Sequence, residues 1–322
     1  MLRFSRVLAI LLVMAFFVAC GSPPSTSETD RTTNNLTFTD ATNTTITLPK
    51  QPDRIVCLVG ICEDILATLK LDPVAVNDTL GQNPAFFGAK AKSFAVISGA
   101  FFSPNVEDIA KANPDLVIGL ANVHENLRDA LKPIAPLYIM NPTSYMDSIR
   151  YLKDIGRLTG RSDIANQAAQ KFLNKLAAYK ARSPKNKTAL LMYGSDVNFN
   201  IFTAQSLSGG LLAQVTNYPW TAGSGAAPAG DHEPGAISYS LEKVLARDPD
   251  VLLVGSLNSV QPLSKQLASN PVWSNLKAVK TNQVYEVPSD IYIFGRGTIS
   301  LGLALDDAMK KLYPDVFPHP LS

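Results

Sequence analysis

Two glutamates, Glu107 and Glu242, hold the same place in two copies of one pattern. The first copy runs Val106-Glu107-Asp108-Ile109-Ala110-Lys111-Ala112-Asn113-Pro114-Asp115-Leu116-Val117-Ile118-Gly119. The second runs Leu241-Glu242-Lys243-Val244-Leu245-Ala246-Arg247-Asp248-Pro249-Asp250-Val251-Leu252-Leu253-Val254. A carboxylate in the first turn of a helix suits the positive end of the helix dipole, so helix capping is one reading of each. Each also falls at the start of a helix expected to face solvent.

A second group is fit for binding. Arg296, beside Tyr292 and Phe294, can hold an anionic oxygen through a forked, charge-assisted pair or form a local salt bridge. Phe101-Phe102 stands in a Gly and Ser context, where two rings suit a large, partly apolar ligand, with one of them expected to plug a core. Asn198, Tyr218, Trp220 and His124 fall near expected strand ends and join the candidate ligand contacts. The three histidines, His124, His232 and His319, are far apart, whereas a metal site needs three or four converging ligands, so no metal and no cofactor is expected. Asp231-His232-Glu233 reads as a gate or contact, or as loop solubility. An exported hydrolase is the rival of a different class. It would need an activated nucleophile beside a base, and the chain has no Gly-x-Ser-x-Gly, His-Glu-x-x-His or P-loop. No enzyme is expected.

Each copy of the pattern reads as a short amphipathic helix broken by Pro-Asp, then a β-branched and leucine run that suits a strand buried on both faces. Between the copies, Ser162 to Ala181 repeats apolar residues every fourth position (Ile164, Ala168, Phe172, Leu176) and predicts one long helix, with Ser162 as N-cap and basic residues at its end. Strands are expected at 54–58, 74–76, 94–97, 116–118 and 137–140 after a hairpin over 36–48, with helices at 60–69 and 145–158. In the second half, strands are expected at 188–193, 200–203, 251–254 and 284–287, helices at 209–215 and 300–313, and a long loop over 218–239. Alternating strands and helices imply an α/β class with mainly parallel sheets. The simplest arrangement is two Rossmann-like lobes, 36–160 and 184–322, joined by one long helix at 161–183 and facing each other across a cleft.

With 322 residues, 46% hydrophobic and 17% charged, the chain can bury two ordinary cores, and a net charge of +2 argues against a nucleic-acid partner. Arg3 and Arg6 precede an apolar run from Val7 to Val18, and Ala19-Cys20-Gly21 places small residues where a peptidase needs them. This resembles a bacterial lipoprotein signal over 1–19, with Cys20 lipidated. Phe17 stands where Leu is usual, which leaves ordinary signal cleavage or an uncleaved anchor open. Residues 20–35 read as a flexible tether. The expected location is extracytoplasmic, anchored to the cell membrane by lipid. Export makes a bridge between Cys57 and Cys62 possible, but their placement in a strand and the following turn favours two small buried hydrophobes.

The order of these elements, from Pro52-Asp53-Arg54-Ile55-Val56 through Asn113-Pro114-Asp115-Leu116-Val117-Ile118, the long helix and Asp248-Pro249-Asp250-Val251 to Trp273, Val279 and Gln283-Val284-Tyr285, resembles the periplasmic substrate-binding proteins of ABC importers for ferric siderophores, haem and cobalamin. The resemblance spans nearly all of the chain after the signal. It implies a monomer that captures a ferric siderophore in the cleft, with cobalamin or haem as the rival, and docks on a permease dimer through Glu107 and Glu242. Arg296 is nearly alone among basic cleft candidates, which points to a hydroxamate or mixed chelate over ferric citrate.

Overall fold

The computed structural model describes residues 35–77, 82–195, 198–222, 234–257 and 261–321. Cys20 and its signal, nearly all of the tether, and Asp231, His232 and Glu233 lie outside the described residues. Among the described residues, no helix is long and apolar enough to cross a membrane.

The chain opens with the expected hairpin, β1 (Leu36–Thr39) and β2 (Thr45–Leu48). Asp40 shapes its turn by accepting the backbone N–H groups of Thr42 and Thr44, and pins it to the body by accepting from Arg128 at 2.7 Å and from the Ile139 N–H. Next come β3 (Ile55–Cys57), α1 (Gly60–Thr68), β4 (Ala75–Val76), α2 (Pro84–Phe87), β5 (Ala95–Val96) and a small hairpin of β6 (Gly99–Ala100) and β7 (Ser103–Pro104). Then follow α3 (Val106–Lys111), β8 (Leu116–Leu120), α4 (Arg128–Leu131) and β9 (Leu137–Met140). The first sheet has the order β5-β4-β3-β8-β9 with every neighbour parallel. β3, β8 and β9 are buried along their whole length, as their unbroken apolar runs require.

Helix α5 (Tyr145–Leu158) leads into the long helix α6 (Ser162–Arg182). The buried stripe of α6, Ala165, Ala169, Phe172, Leu176 and Tyr179, follows one face. Ser162 is not its cap: the helix includes Ser162, and Arg161 precedes it without a capping side chain.

The second sheet is formed by β10 (Ala189–Gly194), β11 (Phe199–Phe202), β12 (Ala236–Tyr239), β13 (Val251–Ser256) and β14 (Val284–Val287). Between them lie α7 (Leu207–Leu212), α8 (Leu241–Leu245), α9 (Leu263–Leu267), α10 (Pro271–Asn275) and α11 (Lys277–Lys280). A π-helical turn, Asp290–Gly295, leads into the last helix, α12 (Thr298–Leu312). The order is β12-β11-β10-β13-β14. Ranked by appearance in the chain, both sheets read third, second, first, fourth, fifth. In the second sheet β11 runs antiparallel to both of its neighbours, β10 and β12, and β12 lies inside the stretch expected to be loop. Helix α7 starts before the expected 209 because the Ser206 hydroxyl accepts the Gly209 N–H.

The repeated Asn/Asp-Pro-Asp does one job twice. Asn113 and Asp248 take left-handed φ values of 46° and 43°, which end α3 and α8. The Asp115 carboxylate then accepts the N–H of Arg54 at 2.9 Å, at the entrance to β3, and Asp250 accepts that of Thr188 at 2.7 Å, at the entrance to β10.

The expectation against a disulfide is overturned. Cys57 and Cys62 are bonded, with a Cα–Cα distance of 5.5 Å, inside the usual range. The connection from β3 to α1 is so tight that the Cys62 N–H donates to the Val59 carbonyl, which turns the first residues of the helix back over the strand end.

Candidate functional site

In open α/β sheets the ligand crevice lies beyond the carboxyl ends of the strands, where the strand order reverses. Here those points fall between β3 and β8 and between β10 and β13. They bring forward Gly60 to Cys62 and Ala121 to His124 from the first sheet, and Ser195, Asn198 and Leu257 from the second.

The hairpin of β6 and β7 carries Phe101 and Phe102 at its tip, ring centroids 5.2 Å apart and edge to face. Phe102 is 53% exposed, while Phe101 packs against the hydrophobic core and lies 5.4 Å from the His124 ring. One ring is thus inside and one is presented.

His124, expected among the ligand contacts, is instead enclosed as a strut. It is fully buried, its Nδ1 accepts the Leu120 N–H at 3.0 Å, and its Nε2–H donates to the Phe101 carbonyl at 2.9 Å. Burial pushes its pKa down, against the Phe101 carbonyl and nearby Glu125, and the accepting Nδ1 fixes the neutral tautomer. Gly119 makes the strut possible, since a Cβ there would come within 2.9 Å of the His124 Cβ.

Three further aromatic candidates also turn inward. Trp220 is 1% exposed and donates its Nε1–H to the carbonyl of Ala189, the first residue of β10, so it sits at the end of the sheet away from the switch point. Tyr218 accepts the Leu191 N–H and donates to the Phe202 carbonyl, bridging β10 and β11 from within. Tyr292 donates to Asp307 at 2.8 Å, and burial, with Asp307 beside it, pushes its pKa well up. In each case a long amphipathic side chain buries its ring and satisfies its polar tip with local backbone or carboxylate. Arg296 is buried as well: it takes a left-handed φ of 55° between Gly295 and Gly297, and its Nε donates to the Ile293 carbonyl at 3.2 Å. Asn198 and Phe294 are exposed.

Glu107 and Glu242 are both exposed, each in the first turn of its short helix. Asn105 and Ser240 cap those helices by accepting the N–H groups of Glu107 and Lys243. Hydrogen bonds from its own backbone and from Ser240 hold the Glu242 carboxyl below its ordinary pKa.

One residue at this edge has no signal in the sequence. Asp64, on α1 and fully buried, reaches the first turn of α12, accepting the N–H groups of Ser300 at 2.8 Å and Ile299 at 3.0 Å, partners remote in sequence. Asn77, which follows a predicted strand and so falls among the expected ligand-facing positions, lies just beyond β4 with its side-chain oxygen and nitrogen shielded from solvent and without a hydrogen-bond partner among the described residues. Also among the described residues, no three His, Cys, Asp or Glu side chains converge on a point.

A family model described as periplasmic binding protein matches residues 55–291. The chain is 27% identical to the Fe(3+)-citrate-binding protein YfmC of Bacillus subtilis, over 83% of each chain. It is also 27% identical to the iron(3+)-hydroxamate-binding protein FhuD of the same organism, over 86% of this chain and 87% of that one. The crystal structure of the petrobactin-binding protein YclQ from Bacillus subtilis shares its fold, with a TM-score of 0.71 at 22% identity, covering 87% of this chain and 99% of that one.

Proposed function

The chain belongs to the periplasmic binding protein family, and from that premise we propose that it is the lipid-anchored capture subunit of an ABC importer, taking a ferric siderophore between its two lobes and handing it to the permease. The observation that carries this reading is the repeat. Two sheets of one strand order each present a solvent-exposed glutamate in the first turn of an equivalent helix, Glu107 and Glu242. Such a pair gives a cationic permease surface one contact on each lobe. Exposed Phe102 and Phe294 supply apolar surface for a large ligand.

The chelate we favour is a hydroxamate or mixed type of low net charge. Among the described residues at the strand ends, Arg296 is the basic side chain, and it is buried against the Ile293 carbonyl. Ferric citrate is the second reading, favoured by the relative named for it. Calorimetric titration with a ferric hydroxamate, ferric citrate, cobalamin and haemin tests both. Tightest binding of the hydroxamate is expected; tighter citrate would replace the chelate class, and no binding of any of the four would end the proposal. Trp220 is not the local reporter of the strand ends, because it sits beside Ala189 at the opposite end of β10. Lipidation is tested by substituting Cys20 with Ala, which should release the protein from the membrane fraction.

A further inference from the structure

We propose that the seam between the long helix α6 and the last helix α12 is a second binding site, for a small amphipathic carboxylate, independent of whatever the cleft holds. The two helices face each other through matching sets of positions, Ala168, Lys171, Phe172 and Lys175 on one and Ile299, Gly302, Leu303 and Asp306 on the other, both spaced i, i+3, i+4, i+7. They do not close on one another. A groove of about 240 Å³ runs between them, larger than an engineered apolar cavity of roughly 150 Å³ that takes up benzene in another protein.

The groove has stops at both ends. At one, Lys175 pairs with Asp306 at 2.6 Å and the Tyr179 hydroxyl donates to the same carboxylate at 2.6 Å. At the other, the Thr68 and Thr298 hydroxyls meet at 3.4 Å. Phe172 makes an apolar floor, and Leu303 is exposed at the rim. Gly302 is the telling residue. It lies inside a helix, where glycine is disfavoured, and it is buried, yet a Cβ built there meets nothing within 4 Å. No steric contact demands glycine at this position; what it does is hold the groove open.

Charge sets the ligand class. Lys171 and Lys175 against Asp306 leave one net positive charge on the lining, and Lys175 is already spent on Asp306. Lys171, exposed at the mouth, has no carboxylate within ion-pair distance among the described residues. An apolar tail in the groove would therefore place an anionic head beside Lys171. The groove touches α1 through Thr68 as well as α6 and α12, so an occupant would brace elements of both lobes.

Octanoate is the probe, with acetate lacking the tail and 1-octanol lacking the charge. Calorimetry and thermal unfolding are measured on the chain from residue 21, alone and with Gly302→Leu, Ala168→Leu and Lys171→Glu. Saturable octanoate binding in the range up to about 10 mM is expected, with a matching rise in melting temperature. Acetate, 1-octanol and Lys171→Glu should each be weaker by about tenfold or more, and both leucine variants should abolish the site while retaining the native circular dichroism. Octanoate affinity unchanged in a folded leucine variant overturns the proposal, as does 1-octanol binding as tightly as octanoate. If neither leucine variant folds, the exposed Lys171→Glu decides alone.

Discussion

The Asp64 carboxylate on α1 accepts the backbone N–H of Ser300 at 2.8 Å, so a residue of the first lobe caps the last helix of the second. The Ile299 N–H and the Ser300 hydroxyl donate to it too, and the π-helical turn delivers α12 to this point. Gly297 is required in that approach, because a Cβ there would collide with the carboxyl of Asp64.

Burial raises the Asp64 pKa from 3.8 to about 6, outweighing the hydrogen bonds from Ser300 and Ile299 that favour the carboxylate. A carboxyl with a higher pKa in the folded state binds its proton more tightly there. Its contribution to stability therefore grows as pH falls through 6 towards 4 and is lost above that window. Relative to Asp64→Asn, the natural protein should gain on the order of 2–3 kcal/mol between pH 7 and pH 4. Guanidinium unfolding of both proteins across that range measures the difference, and parallel curves would refute the assignment.

Replacing both Glu107 and Glu242 with Ala should leave chelate affinity unchanged and impair import. Both side chains are exposed on short helices whose caps, Asn105 and Ser240, stay in place, so stability should move by less than about 0.5 kcal/mol. Radiolabelled iron uptake by cells carrying the double variant is the measurement, and normal uptake would count against docking.

Phe102→Ala and Trp220→Ala should separate binding from folding. Phe102 is exposed at the hairpin tip, so its loss should weaken chelate binding severalfold with little change in stability. Trp220 is fully enclosed and bonded to Ala189, so its truncation should cost about 3–5 kcal/mol and spare chelate affinity in the folded fraction. Calorimetry beside chemical unfolding distinguishes the two.

The Cys57–Cys62 bridge closes a loop over a sequence separation of five residues. For so short a loop, chain-entropy arguments give about 2 kcal/mol, and the Cys57→Ala/Cys62→Ala variant should lose about that much. Denaturant midpoints read it directly, and a midpoint indifferent to reducing agent would show that the thiols are free.

The periodic and continuous features were legible in the sequence. α5 and β9 were expected with the ends they have, because an amphipathic helix with a Ser cap and an unbroken apolar run each declare themselves locally. Less legible was whatever depends on a distant partner. β12 is four residues long and becomes a strand only by pairing with β11. Tyr218, Trp220, Tyr292 and Arg296 have the residue types of a binding surface, yet their direction is set by core positions that no local pattern reveals. Asp64 meets Ser300 across a separation of 236 residues. The disulfide was missed for a geometric reason: five residues along the chain seemed to leave the strand behind, and the tight turn into α1 brings them back.

That turn also has a mechanical consequence. Cys57 ends the central strand of its sheet, Cys62 is clasped to it, and Asp64 follows two residues later. A tug on the final helix is therefore handed to the middle of the opposite sheet with almost no slack in series. The strand end, the clasp and the cap thus form one short mechanical series from β3 to α12.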